Sequence, residues 1–272
     1  MSAPIAGTVA GADGTAIAYQ AEGAEGAPWI VLSNSLATDR RVWDLQMPAL
    51  LGRYRVLRYD TRGHGQSGAG ASPYRFEDVV GDILAVMDAL SIPRADFMGV
   101  SLGGMTGLAL ALKAPDRIGK LVCADARADA PAPYKAIWDG NIARLAEVGL
   151  SGLAAPTMER WFTEAYRSNP AHAPLLAMVR EMIEATSPTG YEGAARLLQS
   201  LDLLEHLPKI ACPVLYITGE HDPAAPVAVM QAMADRTPGA SLTVLPDAAH
   251  LSNMEQPAAF DRAIGGFLSL SS

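Results

Sequence analysis

The sequence predicts an α/β protein with a doubly wound, mostly parallel sheet that is interrupted once by an inserted helical cap. Three observations carry this. Short apolar runs rich in Val, Ile and Leu recur along the chain, and several are apolar on both faces, as strands buried inside a parallel sheet must be. Helical patterns separate the later runs. The alternation stops between about Arg127 and Pro208, where no strand pattern occurs.

Taken in order, the strand runs are TAIAYQ near 15–20, WIVLSN near 29–34, YRVLRYD near 54–60, ADFMGV near 95–100, GKLVCAD near 119–125, PVLYITG near 213–219 and SLTVLP near 241–246. Each is bounded by Gly, Pro, Asn or Asp. The segment 76–90 sets Val79, Ile83, Val86, Met87 and Leu90 on one helical face. LGGMTGLALALKA is apolar nearly all round and reads as a buried helix, and PVAVMQAMADR and PAAFDRAIGGFLSL supply the later helices. Between the strand at 119–125 and that at 213–219, helices are expected at 134–149, 156–168, 174–185 and 188–200, with proline segments separating some of them. The organisation expected is a core of residues 1–125 and 208–272 and a cap of residues 126–207.

The 272 residues are 50% hydrophobic, enough for one sizeable core. A net charge of −8 argues against nucleic acid, whose phosphates need a basic face, but leaves room for a small anionic substrate. Cys123 and Cys212 each lie in an apolar stretch and read as buried thiols. The first residues lack a basic segment followed by a long apolar one, and no run reaches the ~20 apolar residues of a membrane span. A cytoplasmic protein without membrane association is expected.

Gly99-Val100-Ser101-Leu102-Gly103 is a G-x-S-x-G pentapeptide. Alone it is a modest signal, and a glycine-rich turn with a capping serine would also produce it. Here a strand pattern precedes Ser101 and a helical pattern follows, the strand–turn–helix setting in which such a serine is a nucleophile. The turn leaves no room for side chains at its flanks, and the helix N-terminus directs free N–H groups and positive dipole toward the serine.

A nucleophilic serine needs a base, and the base an orienting carboxylate. Along chains of this architecture the order is serine, acid, histidine. Of five histidines, His250 follows the last strand pattern and precedes the last helix, at the sheet's carboxyl edge. His64 lies upstream in a glycine-rich loop and is assigned to that loop. His172 and His206 fall in the cap as surface residues, and His221 directly precedes Asp222. Asp222 closes the next-to-last strand in a Gly-x-x-Asp-x-x-x-Pro turn and is the favoured acid; Asp125, at the end of the preceding strand, competes. Glu220, His221 and Asp222 have no partner histidine at ligand spacing, so no metal is expected. The oxyanion of acyl transfer would be held by two backbone N–H groups, those of Leu102 and of Leu36 in the loop VLSNSLATD. Ser35 is not on such a turn, and its hydroxyl is assigned to supporting the loop.

SNSLATDRRVWDLQ, RYDTRGHGQS, GVSLGGM, ITGEHDPAAP and DAAHLSNMEQP together resemble the 3-oxoadipate enol-lactonase group of the α/β-hydrolases. The resemblance spans about 1–125 and 208–272, and RWFTEAY at 160–166 extends it into the cap. The Ser-Asn-Ser-Leu loop is its most specific part, because many relatives carry His-Gly there. The stretch ADARADAPAPYKAIWDG, at the cap entrance, departs from the group's usual segment. The resemblance implies the α/β-hydrolase fold and a cofactor-free serine hydrolase that opens a carboxylate-bearing five-membered enol-lactone in aromatic catabolism, with Ser101, Asp222 and His250 as its triad.

Cap residues choose the substrate. Arg127 and Arg160 are candidates for an anionic group, with Tyr134, Trp138, Met158 and Trp161 as walls. The partner expected is a small ester or lactone, and a homodimer is compatible with the sequence. A general small-ester carboxylesterase and a ligand receptor built on a hydrolase shell are the competing readings. An alkyl-ester mechanism on a carboxylate is disfavoured, because the turn carries Ser101 and not Asp.

Overall fold

The computed structural model describes residues 2–270. Its eight described strands are β1 (Ser2–Ala10), β2 (Ala16–Gly23), β3 (Trp29–Ser33), β4 (Arg55–Tyr59), β5 (Ala95–Val100), β6 (Ile118–Ala124), β7 (Val214–Gly219) and β8 (Ser241–Leu245). They form one sheet in the order β1-β2-β4-β3-β5-β6-β7-β8. The β1–β2 and β2–β4 pairs are antiparallel, and the remaining pairs are parallel. Every residue of β7 is buried, as are the last four of β3, β4, β5 and β6, which is why those runs read as apolar on both faces.

The chain starts its parallel winding at β3, turns outward to β4, then crosses back to β5 on the other side. β3 and β5 therefore flank the topological switch of the sheet, where the carboxyl ends of neighbouring strands diverge and leave a crevice. The register pairs Ser33 with Gly99, so the loop after β3 and the turn after β5 emerge side by side.

Strand β1 was not expected. It lies at the sheet edge, contains Pro4, and residues 4–10 are exposed or half-buried. Among its described residues only Val9 packs against the core, as a half-buried residue, so the strand carries little apolar alternation to read.

The helices are α1 (Met47–Leu51), α2 (Phe76–Ala89), α3 (Leu102–Lys113), α4 (Ala132–Trp161), α5 (Glu164–Ser168), α6 (Ala173–Ala185), α7 (Pro188–Gln199), α8 (Val227–Arg236), α9 (Ser252–Glu255) and α10 (Pro257–Leu268). Residues 102–111 of α3 are all buried. No helix among the described residues is long and apolar enough to cross a membrane.

Helices α4 to α7 lie between β6 and β7. Their two ends meet at an antiparallel bridge between Asp129 and Asp202, reinforced by Leu203 N–H donating to the Ala128 carbonyl at 2.7 Å. On the opposite side Ser187 N–H donates to the Gly63 carbonyl (3.1 Å) and Leu251 N–H to the Trp161 carbonyl (3.2 Å). The helix expected at 156–168 is instead the end of α4 followed by α5. The chain extends at Phe162 (φ −132°, ψ 143°), and Thr163 restarts it by accepting a hydrogen bond from Tyr166 N–H, an N-cap that satisfies one orphan donor of α5. Helix α4 is itself broken at Gly149, whose φ is 64°.

Candidate active site

Ser101 joins β5 to α3 with φ 55° and ψ −117°, a conformation that costs a residue with a side chain about 1–3 kcal/mol. The surroundings enforce it. A Cβ on Gly99 would lie 2.2 Å from the Gly103 backbone, and one on Gly103 would lie 2.2 Å from the Ser33 carbonyl oxygen. The Ser101 amide is tied to the Ala124 carbonyl of β6 at 2.8 Å. The turn is thus wedged between β3, α3 and β6, and only glycine at its flanks allows that approach.

His250 Nε2 lies 2.9 Å from Ser101 Oγ, and His250 Nδ1 lies 2.9 Å from Asp222 Oδ2. The other Asp222 oxygen accepts from the Ala224 (2.7 Å) and Ala225 (3.1 Å) amides. All three side chains are buried. Burial disfavours a charged His250 ring, but the Asp222 carboxylate outweighs it through its charge and its hydrogen bond, and Asp125 adds to the effect. The histidine pKa is raised as a result.

Asp125, the competing acid, has no hydrogen bond to His250. Its Oδ1 accepts from Gly219 N–H (2.9 Å), and its Oδ2 from Ser252 N–H (3.1 Å) and Oγ (2.6 Å). It therefore ties the end of β6 to the end of β7 and to the start of α9, on either side of Asp222 and His250. Burial, with the nearby Asp222 charge, pushes its carboxyl up to about 8.

The Leu102 amide, first in α3, and the Leu36 amide donate to no acceptor among the described residues. The loop that carries Leu36 is braced by hydrogen bonds. Asn34 Nδ2 donates to the Ser35 and Thr38 carbonyls (2.9 and 2.6 Å), Thr38 Oγ1 donates to the Ser35 carbonyl (2.9 Å), and Asn34 Oδ1 accepts from the Thr61 amide and hydroxyl. The Ser35 hydroxyl takes no part in this. It is buried and has no hydrogen-bond partner among the described residues, so the expectation that it supports the loop is corrected: Asn34 and Thr38 do so. His64 serves its loop as expected, with Nδ1 2.9 Å from the Arg62 carbonyl oxygen.

A cavity of about 300 Å³ lies over Ser101 and His250, within the size range of small-molecule pockets. Ser35, Leu36 and Met105 line it from the core, and Tyr134, Trp138, Thr157, Arg160, Trp161 and Tyr191 from the cap. The Trp161 ring lies 6.4 Å from the His250 ring. Met158 is not on the cavity wall, which corrects its assignment. On α4, Thr157, Arg160 and Trp161 share the cavity face, and Met158 lies one step round the helix from them.

The two arginines differ. Arg127 reaches the cavity but is already engaged: it pairs with Asp129 at 2.9 Å, donates to the Asp129 and Ala224 carbonyls, and stacks over Tyr134 at 4.4 Å. Its charge is therefore already partly balanced by Asp129. Arg160 has no carboxylate partner among the described residues, and its one hydrogen bond runs to Thr157 Oγ1 at 3.2 Å. Burial pulls its pKa below the ordinary arginine value. Thr157 and Tyr191 were missed as lining residues. Thr157 could have been found, because it stands one helical turn before Trp161. Tyr191 comes from α7, and nothing local links it to the serine.

A model of the alpha/beta hydrolase fold family matches residues 28–257. The chain is 36% identical to 3-oxoadipate enol-lactonase 1 of Acinetobacter baylyi (strain ATCC 33305 / BD413 / ADP1), over 94% of each chain. It is 32% identical to a putative carbamate hydrolase of Caulobacter sp. (strain K31), over 88% of this chain and 90% of that one. The crystal structure of the enol-lactonase from Burkholderia xenovorans LB400 superposes with a TM-score of 0.92 at 39% identity, covering 97% of this chain and all of the other (100%). The chain belongs to the alpha/beta hydrolase family and is a hydrolase of the 3-oxoadipate enol-lactonase-like kind.

Proposed function

We propose that the protein is a cofactor-free serine hydrolase that opens a small carboxylate-bearing lactone of the 3-oxoadipate enol-lactone type. The observation that carries this is Arg160, a cap cation without a carboxylate partner among the described residues, on the wall of the cavity that holds Ser101 and His250. Its guanidinium is partly desolvated at the cavity wall, and a substrate carboxylate would pair with it through charge-assisted hydrogen bonds. The aromatic walls supply apolar contact for a compact ring.

In this mechanism His250 Nε2 takes the Ser101 proton as Oγ attacks the lactone carbonyl. Asp222 holds the imidazole in the required tautomer and stabilises the imidazolium. The amides of Leu36 and Leu102 receive the developing oxyanion. The acyl C–O bond breaks, the ring oxygen leaves as an enolate tethered to the acyl group, and it takes up the proton from His250. A water activated by His250 then attacks the ester on Ser101 and releases the diacid. An enolate is a good leaving group, so acylation outpaces deacylation.

The test is kcat/KM for the enol-lactone and for p-nitrophenyl acetate, with wild type and Arg160→Met. The lactone value is expected to fall about 100-fold or more in the variant and the neutral ester value to change less than about threefold. Equal loss on both substrates would remove Arg160 from carboxylate recognition. A wild type that turned over the lactone no better than the ester would favour the general carboxylesterase reading. Catalysis limited to a few turnovers would favour a receptor.

A further inference from the structure

Ser35 is buried to within 1% of full burial, and its hydroxyl has no hydrogen-bond partner among the described residues. An unsatisfied buried hydroxyl is a net cost to the fold, and such groups are uncommon enough to need a reason. The geometry around it supplies one. Ser35 lines the cavity that also holds Ser101 and His250, and it directly precedes Leu36, whose amide is likewise unpartnered there. The backbone that aims it is fixed. The Ser35 carbonyl accepts from Asn34 Nδ2 (2.9 Å), Thr38 Oγ1 (2.9 Å) and Thr38 N–H (3.2 Å), and the register of Ser33 with Gly99 holds the loop beside the serine turn. A side chain that could have joined this network is left out of it, on a residue that lines the reaction space.

We propose that the Ser35 hydroxyl is a third donor to the substrate's acyl oxygen, acting with the Leu36 and Leu102 amides. The tetrahedral oxyanion has three lone pairs, so it can accept three donors where the planar carbonyl, with two, cannot satisfy all of them. The third bond therefore forms only as charge develops, and it lowers the barrier without tightening ground-state binding. Before reaction the hydroxyl is unpaired; in the tetrahedral state it is paired. Ser35 would then be catalytic through the acyl oxygen, and not as a nucleophile: it forms no covalent bond and loses no proton. The inference rests on Ser101 being the nucleophile.

The experiment is Ser35→Ala and Ser35→Thr, each with kcat and KM on the enol-lactone and on p-nitrophenyl acetate, and with stoichiometric labelling of Ser101 by a phosphonate. For S35A the expected result is a fall in kcat of about 10–100-fold on both substrates, the low side of what one oxyanion donor contributes, with KM changed less than about threefold. S35T, which keeps the hydroxyl, should recover part of that loss. Affinity for a boronic acid that mimics the tetrahedral state should fall with kcat in S35A, while the melting temperature stays level or rises, since an unpaired buried hydroxyl has gone. An S35A enzyme that melts like wild type and keeps kcat within twofold would overturn the proposal. So would a parallel loss of kcat, melting temperature and secondary structure in S35A that S35T does not reverse, since that marks a packing role. Phosphonate labelling of wild type separates the two readings: no adduct on Ser101 would sink the nucleophile assignment, whereas an adduct with normal S35A kinetics would sink only this one.

Discussion

His250 is held between two opposed influences. Its burial favours the neutral ring, and Asp222 favours the charged one; the carboxylate prevails and the pKa is raised above the ordinary histidine value. The general base must be neutral, so kcat/KM should be low where the ring is protonated and should rise as pH climbs through a pKa above about 6.5. A pH–rate profile on a neutral ester, whose own charge does not change, checks this. An acid limb centred clearly below that value would contradict it. At this scale the sequence was informative about order and less so about environment. Ser101, Asp222 and His250 were legible because a strand–turn–helix pattern and two strand ends mark them. The difference between Arg127 and Arg160 was not, since it depends on Asp129 and the Ala224 carbonyl reaching one guanidinium and not the other.

The elements that carry these residues are turns at strand ends, and each turn is braced by its neighbour. Asp125 links the ends of β6 and β7 to the start of α9 through three hydrogen bonds. Asp125→Ala would leave the Gly219 and Ser252 donors without their acceptor, and should lower stability by about 2–4 kcal/mol on the usual cost of buried unsatisfied groups. Chemical denaturation of the variant measures this, and a loss under about 0.5 kcal/mol would show that the donors find other partners. The next turn is equally tight: a Cβ on Gly219 would lie 2.2 Å from the Ala249 carbonyl oxygen. Gly219→Ala should therefore displace the segment bearing His250, and reduce kcat more than it reduces the melting temperature of the core. Strands β2 to β7 were readable because each has buried residues, and β8, mostly half-buried or exposed, from its Leu-Thr-Val-Leu run. Edge strand β1 was not, since among its described residues only Val9 packs against the core. The expected 156–168 helix overran the stop at Phe162 because an apolar pattern continues through Trp161, Phe162 and Tyr166 even though the backbone between them extends.

Across the whole molecule, the sheet and the cap divide the labour. The doubly wound sheet brings the ends of β3, β5 and β7 together with the loop after β8, so four distant segments deliver Leu36, Ser101, Asp222 and His250 to one crevice. The helices between β6 and β7 close that crevice and contribute Arg160, which introduces a local positive charge into a protein of net charge −8. That opposition suits a small anionic substrate, which needs one cation on the cavity wall and no basic surface. The architecture was legible from the alternation of apolar runs and helical patterns and its single long interruption. The shape of the cavity was not, because it arises from the packing of α4 and α7, whose contacts are remote in sequence. The claim that joins core and cap is that the lactone is opened by Ser101. The most direct test is kcat/KM for the enol-lactone in wild type and in Ser101→Ala, with the fold checked by circular dichroism. The account predicts a fall of about 10⁴-fold or more at unchanged fold; a Ser101→Ala enzyme within tenfold of wild type would contradict it.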